Sequence, residues 1–99
     1  MTDCIFCKIA AGSIPSDTVF EDSIVRAFKD IHPKAPVHIL VIPKEHVESI
    51  AHLGDGHAAM VAHMIDTAKK LAKDPGLKGD KLVFNVGREG GQLIAHLHL

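Results

Sequence analysis

The chain has 99 residues, of which 46% are hydrophobic and 23% charged, and its formal net charge is −1. That apolar content excludes a disordered chain, the length fits one small domain, and no apolar run approaches the roughly 20 residues of a spanning helix. Near-neutral charge and aromatic content limited to four Phe argue against a nucleic-acid binder held by phosphate contacts or base stacking. The first residues show no basic stretch followed by an apolar one, so a cytoplasmic protein is expected.

Along the chain, Asp3 is a suitable N-cap for a short helix carrying Ile5, Phe6 and Ile9, which Gly12 and Pro15 stop. Thr18-Val19-Phe20 and Ile24-Val25-Arg26-Ala27-Phe28 read as two strands of a hairpin turning at Glu21-Asp22-Ser23. Asp30 to Pro36 is a proline-punctuated loop. Val37 to Ile42 is a β-branched apolar strand, closed by Pro43 and apolar enough to be central and covered on both faces. A longer helix is predicted from His57 to Lys73, with Met60, Val61, Met64, Ile65, Ala68, Leu71 and Ala72 on one face and Asp74-Pro75-Gly76 as its stop. Lys81 to Val86 and Leu93 to Leu99 are predicted strands separated by a Gly-rich loop, Asn85 to Gln92. The sum is an α+β domain with a mainly antiparallel sheet and two helices.

Eight histidines are many for this length. In a strand, alternate residues share a face, so His96 and His98 point one way and Leu97 and Leu99 the other. Imidazole serves as nucleophile, acid, base or metal ligand near neutral pH. The preceding glycines let backbone amides approach a phosphate. The bland reading of such a pair is two hydrogen-bonded histidines on a polar face. Cys4 and Cys7 lie one helical turn apart. With no strand before them a thioredoxin-like role lacks its setting, and four-coordinate zinc is the better account. Two buried reduced thiols are the alternative.

Gly91-Gln92-Leu93-Ile94-Ala95-His96-Leu97-His98-Leu99 resembles the start of the histidine triad, His-φ-His-φ-His, preceded by Gly-Gln. Cys4 to Ile9, Gly12 to Pro15, Asp30-Ile31, His38 with Leu40 to Lys44, His46 and Asn85-Val86-Gly87 are similar to the same family, in order and over nearly the whole chain. The resemblance implies one histidine triad domain over 1–99, with a histidine triad-like fold and a two-fold homodimer. It points to the nucleotide-binding branch that hydrolyses purine nucleoside phosphoramidates.

The implied mechanism has two steps. His98, the middle histidine, attacks the α-phosphorus, and water then releases the nucleoside monophosphate. His96 belongs to the triad, and His38 packs beside it and sets its protonation. Asp30 takes the ribose hydroxyls; Phe6, Phe28 and Ile31 hold the purine; Asn85 and the backbone of Gly91, Gln92 and Leu93 face the phosphate. Leu93 departs from the Ser common in relatives. By the same resemblance Cys4, Cys7, His46 and His96 bind a structural zinc, and catalysis needs no cofactor. The partners implied are a purine nucleotide such as AMP or adenosine phosphoramidate and a second copy of the chain, with no nucleic acid and no membrane. The third histidine would fall at residue 100, so a longer chain is expected, lacking here the last triad histidine and the C-terminal tail. Two other readings remain at this stage, a nucleotide-binding module without turnover and a zinc-stabilised interaction module.

Overall fold

A computed structural model describes residues 4–73 and 78–99. Its elements are α1 (Ile5–Ala10), β1 (Thr18–Glu21), β2 (Val25–Lys29), β3 (Ile39–Pro43) and α2 (Ala58–Leu71), with single 3-10 turns at Ile50–His52, Asp55–His57 and Arg88–Gly90. The strands form an antiparallel sheet in the order β1-β2-β3. The predicted α+β class, antiparallel sheet and two helices are all present. The expected cap Asp3 and the stop Asp74-Pro75-Gly76 lie outside the described residues. Cys4 occupies the N-cap position of α1, and its Sγ accepts the Cys7 amide at 3.4 Å.

The hairpin turn is built by Asp22. Its Oδ1 accepts the amides of Ile24 and Val25 at 2.8 and 2.9 Å, so β2 starts at Val25 rather than Ile24. Its Oδ2 takes the His63 Nε2–H at 2.6 Å, which ties the turn to α2. Burial pushes the Asp22 carboxyl up, but the Val25 and Ile24 amides and His63 outweigh it and hold it at about 2.

The sheet separates two apolar clusters. Val25, Ala27, Val41, Val47, Leu97 and Leu99 pack with Met64 of α2 on one side. Phe28, Leu40 and Ile42 pack with Phe6, Ile9 and Ala10 of α1 on the other. Residues 40, 41 and 42 alternate between the two clusters, as a strand covered on both faces requires.

The inward stripe of α2 is narrower than predicted. Met64 and Thr67 are buried and Met60, Ala68 and Leu71 pack against the core, whereas Ile65 is exposed. Thr67 takes an inward position because its hydroxyl donates to the His63 carbonyl at 2.8 Å, which removes the penalty for burying it.

Two predicted strands do not form. The segment 81–86 has no ladder partner among the described residues, and Leu82, Val83 and Val86 are exposed. In 93–99, Leu99 and Val41 exchange both backbone hydrogen bonds, at 3.0 and 3.1 Å. The next hydrogen-bonded pair of such a ladder would place Leu97 opposite Pro43, which has no N–H to give. The Leu97 amide donates instead to the Val47 carbonyl at 2.6 Å. The alternation nonetheless holds, because Leu97 and Leu99 enter the α2-side cluster while the rings of His96 and His98 meet Phe6. No helix of the described residues is long and apolar enough to cross a membrane.

Candidate active site and metal centre

The C-terminal segment delivers His96 and His98 to the edge of the Phe6 ring, with centroids 6.0 and 5.1 Å away. The two rings have different surroundings. His96 is fully buried, and its Nε2–H donates to the Pro43 carbonyl at 2.9 Å. Burial pushes its pKa down, so the ring is neutral, with the lone pair on Nδ1. His98 is half-buried, and its Nδ1–H donates to the His96 carbonyl at 2.7 Å. A neutral His98 in that bond carries its lone pair on Nε2. An imidazole held in one tautomer with a nitrogen lone pair available is the form a nucleophile requires.

The His96 Nδ1 lone pair points at a cluster of donors. Cys4 Sγ is 3.3 Å away, Cys7 Sγ 3.5 Å and His46 Nδ1 3.1 Å, while Cys7 Sγ lies 3.2 Å from His46 Nδ1. All four donor atoms fall within 4.8 Å of one another. Tetrahedral zinc with its usual bond lengths sets N···N and N···S edges of about 3.3–3.5 Å, which these separations match. The remaining His96 nitrogen is bound to a backbone carbonyl, the outer contact that fixes a metal-binding imidazole. Burial, with the neighbouring Cys4 thiol, pushes the Cys7 thiol up. A bound cation reverses that preference. Cys4, Cys7, His46 and His96 could therefore hold a metal ion. With all four donors supplied by protein, no position stays open for chemistry.

The Gly-rich loop leads into the segment that carries His96 and His98. Gly91 has φ +94°, a conformation L side chains rarely adopt, and the Asn85 Nδ2–H donates to its carbonyl at 3.4 Å. The Gly91 and Gln92 amides are already bonded within the loop, to Arg88 and Gly87 carbonyls at 3.1 and 3.0 Å. The Leu93 amide finds no acceptor among the described residues. Buried Gln92 braces the loop. Its Oε1 accepts the Gly87 amide, and its Nε2 donates to the Glu48 and Ile94 carbonyls at 2.6 and 2.9 Å.

The residues expected to hold a nucleoside divide into two groups. Phe6 and Phe28 are buried in the α1-side cluster and meet edge to face at 5.7 Å. Ile31 is 83% and Leu93 85% exposed. His38 is half-buried, one residue before β3. Its Nδ1 accepts the Lys34 amide at 3.0 Å and its Nε2 faces Asp30 Oδ2 at 3.5 Å. No hydrogen bond joins its ring to His96 or His98 among the described residues. Lys44 pairs with Glu21 at 2.7 Å, as does Arg26.

A family model described as "Scavenger mRNA decapping enzyme C-term binding" matches residues 3–99. The purine nucleoside phosphoramidase of Escherichia coli K12 is 39% identical over 99 residues, covering 98% of this chain and 83% of that protein. A solved histidine triad family hydrolase from Legionella pneumophila superposes with a TM-score of 0.93 at 48% identity, covering 97% of this chain and 88% of that one. A zinc-bound histidine triad family protein from Mycobacterium smegmatis superposes with a TM-score of 0.87 at 28% identity, covering 97% and 70%. The chain belongs to the histidine triad family.

Proposed function

We propose that the chain hydrolyses purine nucleoside phosphoramidates through a nucleotidyl-His98 intermediate. The observation that carries this reading is the 2.7 Å bond from His98 Nδ1–H to the His96 carbonyl, which leaves Nε2 as the basic nitrogen. The phosphoramidase relative supports the substrate class.

In the first step the Nε2 lone pair attacks the α-phosphorus. The bond from phosphorus to the leaving nitrogen breaks, and that nitrogen takes up a proton from solvent. In the second step water attacks the same phosphorus and loses a proton, the P–Nε2 bond breaks, and the nucleoside monophosphate leaves. Positioning and charge neutralisation do most of the work in such transfers. Asp30 takes the ribose hydroxyls, Phe6, Phe28 and Ile31 flank the base, and Asn85 with the Gly91 to Leu93 backbone faces the phosphate. Of those three amides, that of Leu93 is the one left to donate.

Cys4, Cys7, His46 and His96 hold a structural zinc, a reading supported by their donor spacing and by the zinc-bound relative. The zinc would supply a cross-link between α1 and the segments bearing His46 and His96. The protein acts as a homodimer. The exposed Leu82, Val83 and Val86, on a segment without a described ladder partner, support a sheet extended by a second copy.

Steady-state hydrolysis of adenosine and cytidine phosphoramidates tests the function. Release of AMP, with the purine substrate preferred, is the expected result. A protein that neither binds nor turns over either nucleotide would overturn the reading.

A further inference from the structure

We propose that Cys4 and Cys7 form a reversible dithiol–disulfide site: a hydroperoxide closes it, a thiol reductant reopens it, and closure evicts the metal. The eviction rests on the zinc reading above, whereas oxidation of the pair does not.

The two sulfurs come from one turn of chain and converge on one point. Cys4 is the N-cap of α1, and Cys7 lies in the first turn of that helix. Their Sγ atoms stand 3.3 and 3.5 Å from the same His96 Nδ1, and no more than 4.8 Å from each other. Closing a disulfide of about 2.05 Å then takes a movement of under about 3 Å. Side-chain rotation and the extended backbone of Cys4, with φ −74° and ψ 113°, can share it.

Access to the pair is unequal. The contact of Cys7 Sγ with His46 Nδ1 is exposed, whereas that of Cys4 Sγ with fully buried His96 is only partly open. Cys7 therefore meets the oxidant and Cys4 resolves. The Cys7 sulfur attacks a peroxide oxygen and the O–O bond breaks, giving a sulfenic acid and an alcohol (water from hydrogen peroxide). The Cys4 sulfur attacks the sulfenic sulfur, the S–S bond forms, and the S–O bond breaks to release water. The cysteines lose two electrons, which reduce the O–O bond, and the two thiol protons end on the alcohol and the water. In the metal-loaded centre solvent supplies those protons.

Closure leaves His46 and His96 as the remaining donors of the four, and a neutral disulfide does not replace two thiolates. The metal therefore leaves. Helix α1 then relies on its apolar contacts, among them Phe6, whose ring meets that of His98 at a centroid distance of 5.1 Å. The redox state of the pair is thus coupled through α1 to the candidate nucleophile.

The test treats the zinc-loaded wild-type protein with hydrogen peroxide. Free thiols are counted by alkylation and intact mass, the disulfide is located by peptide mapping, and released zinc is read with a chromogenic chelator. Both thiols should be lost together, with one equivalent of zinc released per Cys4–Cys7 disulfide and a Tm that no longer responds to added zinc. A thiol reductant with zinc should restore all three. Cys4→Ser should accumulate a sulfenic acid at Cys7 that dimedone traps, and Cys7→Ser should trap little at Cys4.

Thiols that stay open to alkylation, or that pass to a sulfinic acid no thiol recovers, would overturn the inference. A disulfide that forms while zinc stays bound would overturn the eviction. A disulfide formed in a protein that takes up no zinc would support the dithiol site and overturn the metal reading, with the eviction that rests on it. Equal trapping in the two serine variants would overturn the order of attack. The wild-type measurements decide the matter if a serine variant does not fold.

Discussion

Withdrawing metal from the Cys4, Cys7, His46 and His96 cluster should lower stability in a way that tracks free zinc. Helix α1 has six residues, too few to persist alone in water. Burial of Phe6, Ile9 and Ala10 against Phe28, Leu40 and Ile42 holds it in place, and a metal ion bound by the four-donor cluster would add a second tie. Burial of Phe6 and Ile9 is worth about 1.5–3 kcal/mol each, so the metal-free protein should remain folded with α1 docked. A ligand that binds only the native state adds RT ln(1 + [L]/Kd). Above saturation each tenfold rise in free zinc then contributes about 1.4 kcal/mol, and Tm climbs about 6–11 °C per decade for a domain of this size. The assay is thermal unfolding in zinc buffers of graded free concentration, with the Cys7→Ser variant alongside. In that variant the slope should vanish, because a neutral hydroxyl replaces a thiolate ligand. A wild-type Tm that ignores both chelator and added zinc would refute the argument and leave the cysteines as two reduced thiols.

The Asp22 carboxyl, held at about 2, contributes stability that is present above its ordinary pKa near 3.8 and is lost as pH falls through about 2. The Asp22 side chain is about 30% exposed, so solvent screening limits the effect to ~1 kcal/mol. Urea midpoints measured from pH 5 to pH 2 should therefore fall more steeply for wild type than for Asp22→Asn, and parallel curves would remove the linkage. Gly91→Ala should cost about 1–2 kcal/mol, because φ +94° is strained for an L residue. Its Cβ would sit 3.5 Å from Asn85 Nδ2, ordinary contact, so the loss is conformational rather than steric. Thermal unfolding and AMP titration of that variant should show both a lower Tm and weaker binding.

The parts of the fold visible in the sequence were those set by local period and punctuation. The apolar run 37–42 and the spacing of Met60, Met64, Ala68 and Leu71 survive as β3 and the inward face of α2. The alternation of His96 and His98 against Leu97 and Leu99 also persists, without a strand ladder to enforce it. What the sequence hid depends on distant partners. Nothing near residue 97 reveals that Pro43 would face it and break the ladder. Val83 and Val86 read as strand residues, but pairing depends on a neighbour that residues 81–86 do not have among the described residues.

The same holds for the polar residues. His57 and His63 have no role that a local sequence pattern reveals, yet each donates to a carboxylate outside its own helix, Glu45 at 2.7 Å and Asp22 at 2.6 Å. Gln92 looked like a backbone contributor to phosphate binding, while its buried side chain braces the loop through three hydrogen bonds. The convergence of Cys4 and Cys7 with His46 and His96 was legible only through the family resemblance, because 39 and 89 residues separate Cys7 from the two histidines. Once the chain is folded, the tautomer of His96 follows from a single bond to Pro43.

The most direct test of the central claim is the intact mass of the protein after a short pulse of adenosine phosphoramidate, quenched without acid, followed by mapping of any adduct. The account predicts a gain of one adenylyl group, located on His98 and absent from His98→Ala, which should still bind AMP. AMP release by His98→Ala at the wild-type rate, or an adduct mapped to another residue, would contradict it.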